Sequence, residues 1–248
     1  MKINKNLFTS LFIPLGLSLA MILGTGAASA PKAVVNAGTA DFAPIAEMLS
    51  SDTSGLEYEI PVSWEELGLE EVEEGGRIYT RVTLPGWANT ITPGLPSLPV
   101  KLDKVGAPFG AGVVVEVIPG VEHRIPLSSA VLPVETKVVD EEQPGEEQGD
   151  QLLPNVVTTY IEDESVYSGR DPFPGTLAEV TADGLLRQQR VVGISIYPVQ
   201  FDVAAQELVV YESLTIQVRF NGGEQRAAGL VRDSQDYEDM LRGELLNY

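Results

Sequence analysis

Between Val191 and Phe220 the chain alternates apolar and polar residues in two runs joined by a short polar connection. In the second run Leu214, Ile216, Val218 and Phe220 share one face and Thr215, Gln217 and Arg219 the other, the period of two expected of a half-buried antiparallel strand. In the first run Ile194 and Ile196 alternate with Ser195, and Tyr197-Pro198-Val199-Gln200-Phe201 follows; Asp202 to Glu207 then connects to Leu208-Val209-Val210-Tyr211. Pro198 has no amide proton for a ladder, so the run is expected to bend there. Further strands are predicted over Leu56 to Val62, Arg77 to Leu84, Leu98 to Lys104, Gly112 to Ile118, Arg124 to Leu127 and Val156 to Glu162, with turn residues between them. Ile78, Thr80, Val82 and Leu84 share a face, as do Val113, Val115 and Val117. With Val114 and Ile118 on its other side, that last strand is expected to be central. No fixed-period repeat links these segments, which argues against a solenoid or propeller. The pattern predicts a mainly β chain: an antiparallel β-sandwich over residues 56–223, then a short C-terminal helix within 224–248. Ser234 would cap that helix, Asp236 sits in its first turn, and Tyr237, Met240, Leu241 and Leu245 recur at helical spacing, while Gly243 weakens it.

The N-terminus has a different pattern. Lys2 and Lys5 precede an apolar run from Leu7 to Leu23, broken by Pro14 and Gly16, and small residues follow to Ala30. This is the layout of a secretory signal peptide over residues 1–30, an uncleaved anchor being disfavoured by Pro14 and the small-residue tail. Residues 31–55 are expected to be a linker, with one helical turn at Ile45 to Leu49 at most. Two acidic tracts are read as solvated. Glu70 to Glu74, after Trp64 to Leu69, lacks the alternating ligand spacing of a calcium loop and is expected to form a turn. Asp140 to Asp150, interrupted by Pro144, Gly145 and Gly149, is expected to form a long flexible loop, of a kind that is often functional.

Composition narrows the chemistry. At 248 residues, 44% of them apolar, the chain can bury one sizeable core. Its 16 Lys and Arg stand against 36 Asp and Glu, and the resulting charge of -20 repels nucleic acid and anionic lipid, so neither is an expected partner. Without cysteine there is no disulfide, thiolate ligand or nucleophilic thiol. A Ser, His and Asp triad would have to pass through His123, which has no Gly-x-Ser-x-Gly partner motif and reads as a strand-end residue. No phosphate-cradling glycine loop occurs, and the sequence implies no cofactor, no metal and no catalytic residue on this chain.

Ser195 to Phe201 followed by Leu208 to Tyr211 resembles the end of the propeptide of gingipain-type secreted cysteine endopeptidases. Gly94-Leu95-Pro96-Ser97-Leu98-Pro99 resembles that family's opening of a strand, with Val113 to Ile118 as the next strand. Tyr167 to Gly175, the arginine-bearing Leu186 to Val192, and Tyr237 to Tyr248 resemble further blocks in the family's order. The resemblance implies a prodomain that assists folding of a cognate cysteine peptidase domain in cis and keeps it latent. It also implies secretion, with no membrane contact after signal cleavage. Residues 224–248 would lead towards a catalytic domain absent from this chain. In those members of the family that act on arginine-specific enzymes a loop is understood to place a basic side chain in the specificity pocket, and the corresponding loop here should follow Val131 to Val134. No arginine lies between Arg124 and Arg170, and Lys137 is the loop's one basic residue. The resemblance makes Lys137, Val138, Val139, Asp140, Glu141 and Glu142, within residues 136–150, the candidate inhibitory loop, with Lys137 as the pocket residue if the protease prefers basic side chains; otherwise the tract is solvated and touches nothing. The alternative is a free-standing secreted β-sandwich that binds a surface or glycan. The sequence beyond Tyr248 separates the two.

Overall fold

The structure, a computed structural model, describes residues 45–148, 151–223 and 235–248; the expected signal peptide, most of the expected linker and Ser234 lie outside them. In chain order the strands are β1 (Glu47–Asp52), β2 (Gly55–Pro61), β3 (Gly68–Glu74), β4 (Arg77–Thr83), β5 (Ala88–Asn89), β6 (Pro99–Ala107), β7 (Gly112–Pro119), β8 (Glu122–Pro126), β9 (Thr136–Gln148) and β10 (Gln151–Thr159). After a one-turn helix α1 (Glu164–Tyr167) come β11 (Ala178–Leu186), β12 (Gln189–Ile196), β13 (Val199–Asp202), β14 (Glu207–Tyr211), β15 (Ser213–Asn221) and helix α2 (Gln235–Glu244).

Two four-stranded antiparallel sheets, ordered β1-β2-β15-β7 and β11-β12-β6-β5, enclose the first core. Leu214, Ile216 and Val218 on β15 stand opposite Ile60, Tyr58 and Leu56 on β2, and all point at Val192, Ile194 and Ile196 of β12 and Val105 of β6. The period-two pattern exists because these side chains have an apolar wall to meet, each contributing about 1.5–3 kcal/mol by its burial. At Tyr197-Pro198 the chain leaves β12 and starts β13 in a further, three-stranded sheet, β13-β14-β8, consistent with the bend expected at the proline. That sheet closes a second core of Val199, Phe201, Leu208 and Val210 with Val82, Leu84, Leu98 and Val131, and Trp87 packs on both cores. The mainly antiparallel β class with a short C-terminal helix is as expected.

Several local expectations are corrected. Ile45 to Leu49 is no helical turn: β1 pairs with β2 through an Asp52-to-Gly55 turn in which Asp52 Oδ1 accepts from Ser54 N. All of β1 is exposed, so it carries no hydrophobic period to read. Glu70 to Glu74 is strand, not turn. It lies in β3 opposite β4, where Arg81 pairs with Glu70 at 2.8 Å and offsets part of the charge. β7 is an edge strand, with Val114 and Ile118 facing solvent; their β-branching suits the pleat without burial. In α2 Tyr237 and Leu241, with Leu245 just beyond, form the buried stripe against Val191, and Met240 lies off it, 40% exposed.

Two clusters of polar bonds explain blocks picked out in the sequence. Arg190 donates from Nε and Nη2 to the two Asp183 oxygens and from Nη1 to Pro108 O and Ala111 O, so its guanidinium pins the β6–β7 turn to β12. Gln200 holds the Asp171-to-Gly175 segment, accepting from Gly175 N and donating to Thr176 O, while Phe173 and Phe201 exchange backbone bonds.

Candidate functional site: a two-stranded ribbon

The tract expected to be a loop is a ribbon. β9 pairs with β10 from Thr136↔Thr159 through Asp140↔Asn155, and again at Pro144↔Pro154, Glu147↔Leu152 and Gln148↔Gln151. Register shifts on either side of Pro154 take up the mismatch, as bulges do, so Pro144 and Gly145 interrupt the ladder without abolishing it. Thirteen residues at strand rise give β9 a length of about 40 Å. No third strand joins the pair among the described residues.

Residues directly opposite each other share a face. Lys137, Val139, Val156 and Thr158 therefore lie on one side, and Thr136, Val138, Val157 and Thr159 on the other. Lys137 is exposed, and the valines of both faces are too: Val138 38%, Val157 40%, Val139 52% and Val156 51%. Two apolar pairs thus stand in water back to back. Lys137 lies near the base, one pair above Thr136↔Thr159, whereas Asp140, Glu141 and Glu142 continue outward along β9. The sequence placed the candidate on one strand only; β10's Val156 and Val157 were missed as partners because the intervening acidic residues read as loop.

The base is built from remote residues. The incoming leg, Val131 to Val134, is laced to the domain: Leu132 N donates to Thr80 O, Ser97 N to Leu132 O, Val134 N to Leu95 O and Gly94 N to Val134 O, at 2.8–3.1 Å. Tyr167 Oη also donates to Val131 O at 2.8 Å, and burial holds that hydroxyl protonated far above the ordinary tyrosine range. The outgoing leg runs from Tyr160 to Asp163. Asp163 N donates to Gly94 O at 3.0 Å, and the Glu162 carboxylate pairs with Arg77 Nη1 at 2.8 Å. Gly94 thus bonds to both legs. Its φ of +82° is in the left-handed region, and a Cβ there would lie 3.0 Å from Ile161 O, which explains why glycine opens the Gly94-to-Pro99 block.

His123, the only histidine, stacks on Trp64 with ring centroids 3.8 Å apart, and its Nε2 lies 2.8 Å from Glu212 Oε1. These contacts tie β8 to the neighbouring turns and bring no nucleophile to the ring. Among the described residues no three His, Asp or Glu side chains converge in a metal-binding group, and no helix is long and apolar enough to cross a membrane.

Comparison with known proteins points one way. The family model described as Propeptide_C25 matches residues 39–248. Lys-gingipain of Porphyromonas gingivalis is 26% identical over 196 residues, covering 77% of this chain and 11% of that protein, and Lys-gingipain W83 of the same species matches to the same extent. The chain therefore spans about a tenth of the length of these curated relatives. Among solved structures, the complex of the pro- and mature domains of Porphyromonas gingivalis RgpB aligns with a TM-score of 0.62 at 19% identity, over 82% of this chain and 97% of the matched one. A structure addressing the zymogenic latency of gingipain K from the same organism aligns at 0.54 and 22% identity, over 75% and 96%.

Proposed function

Because this chain belongs to the Propeptide_C25 family, we propose that it is the prodomain of a secreted gingipain-like cysteine endopeptidase, helping that peptidase to fold and holding it latent through the β9–β10 ribbon. The partner is the cognate catalytic domain, joined in cis, and the leader at residues 1–30 carries the product out of the cytoplasm. The observation that carries this reading is the ribbon: an extended strand pair that leaves exposed valines on both faces and Lys137 outward beside them. Exposed apolar pairs on a free-standing ribbon are a liability in water and an asset in a cleft.

An extended strand is also the conformation in which a peptidase reads its substrate, so the ribbon can occupy the cleft as a peptide would. Lys137 is the side chain for the specificity pocket of an enzyme that prefers basic residues. Latency then needs no chemistry from this chain, only occupancy of the cleft.

Inhibition of the cognate catalytic domain by three proteins tests this: the wild-type chain, Lys137→Ala, and a chain with residues 138–150 replaced by Gly and Ser. The expected order of potency is wild type first and the replaced ribbon last. Equal inhibition constants for all three would remove the ribbon from the mechanism.

A further inference from the structure

The two legs of the ribbon are held unequally. The incoming leg is stitched residue by residue to β4 and to the Gly94-to-Pro99 segment, and Tyr167 bonds to its first carbonyl. Beyond the outgoing leg, α1 is fixed by the Asp163 cap on Ser165 and by the packing of Tyr167 on Phe201. Between β10 and that anchor only Tyr160, Ile161 and Glu162 remain. Their polar ties to the domain include the Arg77–Glu162 ion pair, the Tyr79 hydroxyl beside Glu162 and the bond from Asp163 N to Gly94 O.

We infer that Arg77 and Gly94, neither of them in the ribbon, aim it, setting the direction in which β9 and β10 leave the domain and so the strength of inhibition. The inference rests on the ribbon being the part that meets the peptidase. Arg77 and Gly94 are positioning residues; they act on the partner only through the ribbon.

The physical argument has two parts. Glu162 is partly buried, its side chain 19% exposed; one carboxylate oxygen pairs with Arg77 while the other turns inward beside the Tyr79 hydroxyl. A carboxylate in that setting is held in place by its cation. Without Arg77 it is a partly buried charge that has lost its cation and keeps only the Tyr79 hydroxyl, and moving the leg outward lets it reach water. The second part is leverage. A ribbon about 40 Å long that tilts by roughly 10° at its base moves its far end by roughly 7 Å. At Gly94 the same leg is met by a glycine whose missing Cβ leaves room for Ile161 O, and any side chain there would push the leg away.

Arg77 begins β4 with its side chain 61% exposed, so removing it leaves both cores intact. The test measures inhibition of the cognate catalytic domain by the full chain carrying Arg77→Gln, Arg77→Lys or Gly94→Ala. Each is made with the natural ribbon and with residues 138–150 replaced by Gly and Ser, and thermal unfolding is followed in parallel. With the natural ribbon Arg77→Gln is expected to weaken inhibition about tenfold, within the range that substitutions remote from a ligand reach. In the replaced ribbon it should have less than a roughly twofold effect, and Arg77→Lys, which keeps the charge opposite Glu162, should restore part of the loss. Gly94→Ala should act in the same direction; should it lower the unfolding temperature, Arg77→Gln carries the test alone. Equal losses in both ribbon backgrounds, or undiminished inhibition by Arg77→Gln in a chain whose ribbon is needed, would overturn the inference while leaving the ribbon's role standing. Full inhibition by the ribbon-replaced chain would overturn the ribbon reading and this inference together.

Discussion

β15 and β9 are both strands flanked by β-branched residues, yet they stand in opposite situations. β15 puts Leu214, Ile216, Val218 and Phe220 on one side, and every one of them is buried against the facing sheet. β9 and β10 put valines on both sides, and all four described valines are exposed. One-sided alternation records a wall supplied by the same chain. Two-sided apolar character on a ribbon with no facing sheet among the described residues has no such wall, and the proposed function has the peptidase supply it. The contrast separates what stabilises this domain from what it offers to a partner, and substitutions should respect that division.

The largest effects belong to the cores. Ile216→Ala or Phe201→Ala should destabilise the domain by about 3–5 kcal/mol in denaturant unfolding, since both are fully buried and leave cavities. Val157→Ala should cost about 0.5 kcal/mol or less, as expected of an exposed position; a loss as large as that of Ile216→Ala would collapse the distinction.

Next comes a polar pair inside the sandwich. Asp103 on β6 is 6% exposed and pairs with Lys101, and its other oxygen is buried beside the Tyr58 hydroxyl; burial, then Asp103, pushes that hydroxyl far above its ordinary range. Lys101→Met strands that carboxylate and should cost about 3 kcal/mol, with Asp103→Asn recovering part of it in the double variant.

Arg190→Lys should cost about 2 kcal/mol, because an ammonium cannot keep the forked bond to Asp183 together with the bonds to Pro108 and Ala111. Hydrogen bonding from Arg190 holds the Asp183 carboxyl below its ordinary value. A depressed folded-state pKa contributes stability above the unfolded value, near 3.9, and loses it as pH falls through the folded one. The gap between wild type and Arg190→Lys should therefore be largest at neutral pH and narrow below about pH 4. A gap that widens in acid would contradict the assignment.

A smaller effect concerns rate. If the acidic outer part of the ribbon meets a basic rim, association with the catalytic domain should slow several-fold between about 50 and 500 mM salt, and the replaced ribbon should lose most of that dependence. Indifference to salt in both proteins would leave the valines and Lys137 as the whole of the contact.

The same contrast explains what the sequence could reveal. β2, β12 and β15 were legible because each faces a wall in its own chain, and the break at Pro198 was legible because it is local chemistry. β1 was not, since all its residues are exposed and its only signal is pairing with β2. β7 was placed at the centre of a sheet because Val114 and Ile118 suggested two buried faces, a pattern that strand propensity alone can produce. The ribbon is hidden in the sequence by its charges and by Pro144 and Gly145, although Lys137, Val138 and Val139 stand out in it. Gly94 shows the limit most clearly. Its block was recognisable, but its reason, the carbonyl of Ile161 lying 3.0 Å from where a Cβ would stand, exists only once the outgoing leg has folded over it.

The central claim is that the ribbon is the part of this domain the peptidase covers. Amide hydrogen exchange on the chain alone and bound to its cognate catalytic domain measures this directly. The expected result is strong new protection over residues 136–159, with the inner strands β2, β12 and β15, already protected in the free chain, little changed. Protection gained on the outer sandwich faces, with 136–159 exchanging as fast in the complex as in the free chain, would contradict it.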